Sequence, residues 1–235
     1  MLAVGDAEFQ KKCLGKMKDV ATGGRTVLFV SHQLSAVKSL CSKAIWLDKG
    51  KIQKEGKSSN TISEYLKAFS QIPQAEGSLR GARREGTGDV RFGSIICEDG
   101  HGRQTFSIPS GEKCKIITKV INTSGQKYAD CSFSLDFYDE LGSRVLIFRT
   151  DTMGQLIPID SRPLSISTTI EKIPLAPGRY RVSLYLGKDA GDFYEFVENA
   201  ANIQITEGDF FGTGHPGHPN LCKILHPFEI NVNHP

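Results

Sequence analysis

Long apolar runs are missing from this 235-residue sequence. No stretch of about 18 residues stays apolar, which excludes a membrane-spanning helix within it. A secretory leader is missing too, and the expectation is a cytoplasmic protein. Charge of one sign is scarce: the formal net charge is +3, with no arginine–aromatic cluster, so no nucleic-acid surface is expected. Tightly spaced cysteines are absent. Cys13, Cys41, Cys97, Cys114, Cys131 and Cys222 are scattered, most of them inside apolar patterns. They read as small buried hydrophobes in a reducing compartment, not as a disulfide framework. No metal site is expected either. His215, His218 and His226, with Cys222, lie among prolines with no helical or CxxC frame. A P-loop is absent as well: Gly50 to Ser58 reads GKIQKEGKS, with five residues between its glycines where a P-loop has four.

What is present changes character near residue 70. Asp6 is a good N-cap for a helix carrying Phe9, Cys13, Leu14 and Met17 on one face, which ends at Thr22-Gly23-Gly24. Thr26-Val27-Leu28-Phe29-Val30 reads as a strand covered on both faces, as in a parallel α/β sheet. Ser31-His32 stands at its carboxyl end, where such sheets bind ligands. A helix from Gln33 to about Ser42 follows. Ala44–Asp48 and Lys51–Lys54 then form a hairpin across Lys49-Gly50, and a helix spans about 60–70. This α/β fragment is too small for a doubly wound domain, and the expectation is that its front part is missing.

Residues 71–88 carry Pro73, four glycines and an arginine cluster without apolar periodicity, and read as a linker. Beyond it the period becomes two. Cys114, Ile116, Thr118 and Val120 alternate with polar or outward positions, as do Phe133, Leu135 and Phe137, then Leu164 to Ile170, then Tyr180, Val182, Leu184 and Leu186. Seven or so antiparallel strands between turn signals predict an all-β, immunoglobulin-like antiparallel sandwich over 89–235. Its outward positions include Asp136, Tyr138, Arg181 and Tyr185. Flat rings beside carboxylate and guanidinium groups suit sugars, whose C–H faces stack and whose hydroxyls need donors and acceptors. Polar outward faces and strand tyrosines are common without any ligand. Asp136, Asp139 and Glu140 do not make a glycosidase pair, since two sit in a turn and no second strand supplies a facing carboxylate.

Two blocks of resemblance are then evident. Leu2 to Cys13 (LAVGDAEFQKKC), Arg25 to Gln33 (RTVLFVSHQ) and Ala44 to Gly50 (AIWLDKG) come in the order and at the distances of an ABC-transporter ATPase of the polysaccharide-exporting subfamily. Residues 86–98 (GTGDVRFGSIICE), Pro177–Tyr180, Phe193 to Ala200 (FYEFVENA) and Asp209 to Gly214 (DFFGTG) resemble the C-terminal carbohydrate-binding domain of O-antigen exporter ATPases of the Wzt type. The first block implies that residues 1–70 are the end of a nucleotide-binding domain, with Ala3, Val4, Gly5 and Asp6 as its D-loop. His32 would be the switch residue on the γ-phosphate. ATP and Mg²⁺ are implied for the full-length family. The family's P-loop, signature motif, Walker B aspartate and catalytic glutamate have no counterpart in the sequence, so the chain alone is expected to use no cofactor and to be inactive.

The second block implies O-antigen polysaccharide binding, a homodimer, and a membrane permease that holds the protein at the inner face of the cell membrane. Two alternatives stay open. The chain is a fragment of a complete ATP-hydrolysing subunit, or the sandwich serves dimerisation only.

Overall fold

The computed structural model describes residues 26–31, 34–48, 50–70, 77, 79, 82–188, 193–215 and 222–230. The chain divides into two compact units, one of residues 1–72 with 141–143 and one of residues 73–140 with 144–235. The D-loop stretch Ala3–Asp6, the helix expected after Asp6, and His32 all lie outside the described residues.

In the first unit, helix α1 (Leu34–Leu40) precedes strands β1 (Lys43–Asp48) and β2 (Lys51–Lys57) and helix α2 (Ser58–Ser70). β1 and β2 pair as an antiparallel hairpin. The indole of Trp46 meets Tyr65 of α2 edge-on at 5.6 Å, and Lys54 pairs with Glu64 at 3.1 Å. The expected buried strand at 26–30 is corrected: these residues form no strand, and Leu28 is 87 % and Val30 96 % exposed. The physical reason is pairing. A strand needs a hydrogen-bonded neighbour, and among the described residues of this unit β1 and β2 pair only with each other. A parallel α/β sheet is therefore not present among the described residues. None of the described helices is long and apolar enough to cross a membrane.

The second unit is two antiparallel layers. One sheet holds β4 (Val90–Asp99), β6 (Cys114–Asn122) and β10 (Leu164–Ile170), in the order β10-β6-β4. The other follows the order β3-β12-β11-β7-β8. Its strands are β3 (Arg83–Glu85), β7 (Tyr128–Tyr138), β8 (Arg144–Arg149), β11 (Gly178–Gly187) and β12 (Phe193–Thr206), with β5 (Ser107–Pro109) beside β12 and β9 (Ile157–Ile159) beside β7. The inward sets are those the period of two predicts. Cys114, Ile116 and Val120 face Phe133, Leu135 and Phe137, with Tyr180, Val182, Leu184 and Leu186 beside them, all in one buried core. Leu79 and residues 83–85, expected inside the linker, pack with this unit: Leu79 is buried in the same core, and Arg84 pairs with Val197 across β3 and β12.

Two polar contacts lock the layers. Glu195 points into the core side of β12 and is buried. Its carboxylate accepts from Arg84 at 2.8 Å and from the backbone N–H of Phe92 on β4. Arg84 also donates to the Phe92 carbonyl at 3.2 Å. One carboxylate thus joins β12 and β3 of one sheet to β4 of the other. At the other end the buried Tyr180 hydroxyl donates to the Ala176 carbonyl, four residues upstream, at 2.8 Å, the tyrosine-corner arrangement of Greek-key sandwiches. Burial pushes the Tyr180 phenol up to about 12.

Replacing Glu195 by alanine strands a buried N–H and a half-buried guanidinium. The expected loss is about 3 kcal/mol in urea unfolding. Tyr180 predicts an alkaline limit. Its folded pKa lies above the unfolded value of about 10, so its contribution is complete below that pH and is lost as pH rises from about 10 to about 12. Stability measured across that window should fall more steeply in the natural protein than in Tyr180→Phe.

Candidate functional site

Asp136 and Tyr138 on β7, and Arg181 and Tyr185 on β11, share one side of the larger sheet. Tyr138 lies across from Arg181, Asp136 across from Ser183, and Ser134 across from Tyr185. Their chain neighbours fill the core, so alternation turns all four outward. This register sets Tyr138 beside Arg181 and Asp136 beside Ser183 on that side.

Two irregularities add further residues. On β8, Arg149 faces Ser134 and Ile147 faces Asp136, but a register shift at Val145 sets Arg144 across from Tyr138. Arg144 and Arg149 are an odd number of positions apart, so strict alternation would put them on opposite faces; the bulge brings both outward. On β12, Leu184 pairs with Val197 and Val182 with Ala201, so one residue of β11 opposes three. Asn199 stands in that bulge with φ 54, the left-handed region. Its backbone N–H donates to the buried Ser183 hydroxyl at 3.2 Å, which fixes the bulge beside the face.

The four expected residues differ in what they can offer. Asp136 is only 5 % exposed. Its carboxylate accepts from Ser134 Oγ at 2.8 Å and from Arg144 Nη1 at 3.0 Å. The expectation of an outward, ligand-facing carboxylate is corrected: Asp136 is a buried support that orients the exposed Arg144. Tyr138 is half-buried; burial, with the Asp136 charge next to it, pushes its phenol up. Arg181 Nη2 donates to the Asp139 carbonyl at 3.4 Å, while its Nε is buried without a hydrogen-bond partner among the described residues. The Tyr185 ring carries the Arg149 guanidinium at 5.0 Å and packs 6.1 Å from Phe193. Arg149 Nε in turn donates to both oxygens of Asp151 at 2.8 Å. Those hydrogen bonds hold the Asp151 carboxyl below the usual range.

The arrangement is a shallow platform. Half-exposed rings stand beside arginine–aspartate pairs, over buried serines that fix their geometry. It can stack a flat apolar patch and exchange several hydrogen bonds at once. Arg144, Arg149, Asp151, Ser134 and Asn199 were not foreseen; the only sequence signal for the arginines was their place at the two ends of one strand. A separate open hollow of about 580 Å³ lies beside β7, β9 and β10, lined in part by Lys127, Tyr128, Asp160 and Arg162. None of the four expected residues lies in it.

Comparison with known proteins gives four findings. A family model described as the Wzt C-terminal domain matches residues 81–216. The teichoic acids export ATP-binding protein TagH of Bacillus anthracis is 38 % identical over 106 residues, covering 44 % of this chain and 19 % of that protein. The O-antigen export system ATP-binding protein RfbB of Myxococcus xanthus is 43 % identical over 70 residues, covering 30 % of this chain and 16 % of that protein. The chain thus spans less than a fifth of the length of either curated relative. A crystal structure of the C-terminal domain of Wzt superposes with a TM-score of 0.54 at 10 % identity, over 67 % of this chain and 92 % of that one. At that identity the likeness concerns the fold.

Gly187 tests how the platform is held. A methyl group there would stand 2.5 Å from the Tyr185 hydroxyl and 2.7 Å from Phe193 Cα. Gly187→Ala is therefore expected to displace both rings and cost about 1–3 kcal/mol in urea unfolding.

Proposed function

As this chain belongs to the Wzt C-terminal domain family over residues 81–216, we propose that its sandwich binds a bacterial polysaccharide on the outer face of β11, β7 and β8. In this reading it is the glycan-recognition part of an ATP-binding subunit of an ABC-type exporter for O-antigen or a similar polymer. It works as a homodimer on the cytoplasmic side, with a membrane permease. The carrying observation is that Tyr138, Arg181 and Tyr185, with the support Asp136, form one platform together with Arg144 and Arg149. Rings next to hydrogen-bonding pairs on a rigid sheet match the two things a sugar presents, an apolar C–H face and a rim of hydroxyls. The names of TagH and RfbB, both export ATP-binding proteins, support the transport context.

The ATPase side of the proposal rests on sequence resemblance. His32 as γ-phosphate switch and Ala3, Val4, Gly5 and Asp6 as D-loop lie outside the described residues. The competing reading, a sandwich that only dimerises, makes a different forecast in size-exclusion chromatography: assembly without any polysaccharide binding.

Titration of the whole chain with a panel of bacterial O-polysaccharides tests the proposal. A folded protein that binds none of them overturns it. Where a polymer binds, Tyr138→Ala and Tyr185→Ala are each expected to weaken it by about 1 kcal/mol or more. Unchanged affinity in both would move the site off this face.

A further inference from the structure

We infer that the polymer taken by this face is an uncharged, hydroxyl-rich glycan, not a polyphosphate or polyuronate chain. This deepens the polysaccharide reading above and rests on it. The observation is the state of the charges around the rings. Arg144 is held by Asp136 at 3.0 Å, and Arg149 by Asp151 at 2.8 Å. At the β3 edge, Arg83 lies 2.6 Å from Glu85 and 3.8 Å from Glu198. Arg181, between the rings, rests on a backbone carbonyl. Arg83, Arg144 and Arg149 thus have carboxylates already beside them, while Arg181 has a carbonyl.

The consequence for a ligand is electrostatic. A phosphate or carboxylate that came within contact of Arg144 or Arg149 would also approach Asp136 or Asp151. The repulsion would offset part of the attraction. A sugar hydroxyl meets no such conflict. It accepts from a guanidinium N–H and, at the partly exposed Asp151, donates to a carboxylate oxygen, so neighbouring hydroxyls can span the Arg149–Asp151 pair. The pairs also pre-organise the guanidinium planes, which lowers the ordering cost of binding. The aromatic component points the same way. Tyr185 with Phe193, and Tyr138 a few residues away, offer surface to a pyranose C–H face, whereas a polyol phosphate backbone has no ring to stack.

The experiment titrates the whole chain with neutral homopolymers of mannose, galactose and glucose, and with polygalacturonate and poly(glycerol phosphate), at about 0.05 and about 0.5 M salt. The expected result is binding of at least one neutral polymer, with affinity changing less than about two-fold between the two salts, and no binding of either acidic polymer. Removing a counter-charge should reverse the preference. Asp151→Asn, at a partly exposed site, and Asp136→Asn are each expected to raise binding of polygalacturonate at low salt by about five-fold or more. Tighter binding of an acidic polymer by the natural protein, falling about ten-fold or more with salt, overturns this inference and leaves the polysaccharide reading standing. Binding of none of the polymers above, nor of any O-polysaccharide, removes both.

Discussion

A carboxylate buried inside a protein has to be met by donors, and Glu195 is met from both layers of the sandwich. Arg84 reaches it from β3, and the Phe92 N–H reaches it from β4. A charge at this depth would otherwise cost several kcal/mol, so the strands that satisfy it are pinned in register. β12 then places Phe196 and the Asn199 bulge outward, and the inward rows of β7 and β11 close on β4 and β6. A slip of one residue on any of these strands would swap the core row for the polar row. The outer platform is therefore a by-product of the same constraint that makes the core.

The platform depends next on where alternation is broken. Without the shift at Val145, one of Arg144 and Arg149 would be directed into the core, beside Phe137 and Phe148. Without the bulge opposite Ser183, the strand that flanks the rings would run straight, and Asn199 would have no reason to adopt φ 54. Bulges re-aim side chains at small local cost, and here they concentrate arginines next to Tyr138 and Tyr185. Buried Ser134 and Ser183 anchor the geometry by accepting and donating bonds beneath the surface. Such a surface is held in shape by its own contacts, which lowers the ordering cost of any contact made on it.

The first unit illustrates the reverse situation. Val27 to Val30 has the composition of a buried parallel strand, yet Leu28 and Val30 stand in solvent. Ile45, Leu47 and Ile52 on the hairpin are also exposed. These side chains have the character of a core, and among the described residues no neighbouring strand covers them. Local propensity cannot bury a strand by itself, because burial belongs to the sheet and not to the segment.

Much of the second unit was legible in the amino-acid order alone. The inward rows of β6, β7, β10 and β11, the two-layer antiparallel class and the outward placement of Tyr138, Arg181 and Tyr185 all follow from a period of two, a local property of pleated backbone. The role of Asp136 was not legible, because its burial depends on Arg144, whose side is set by a bulge that no short-range pattern announces. Nor was the start of the domain: Leu79 and Arg84 looked like linker because their partners, the core and Glu195, lie far along the chain. Sequence by itself determined which residues alternate and therefore which class of fold forms. Only the tertiary structure decided which charges meet, since ion pairs across strands depend on register and bulges, and these are settled by the packing of two whole sheets.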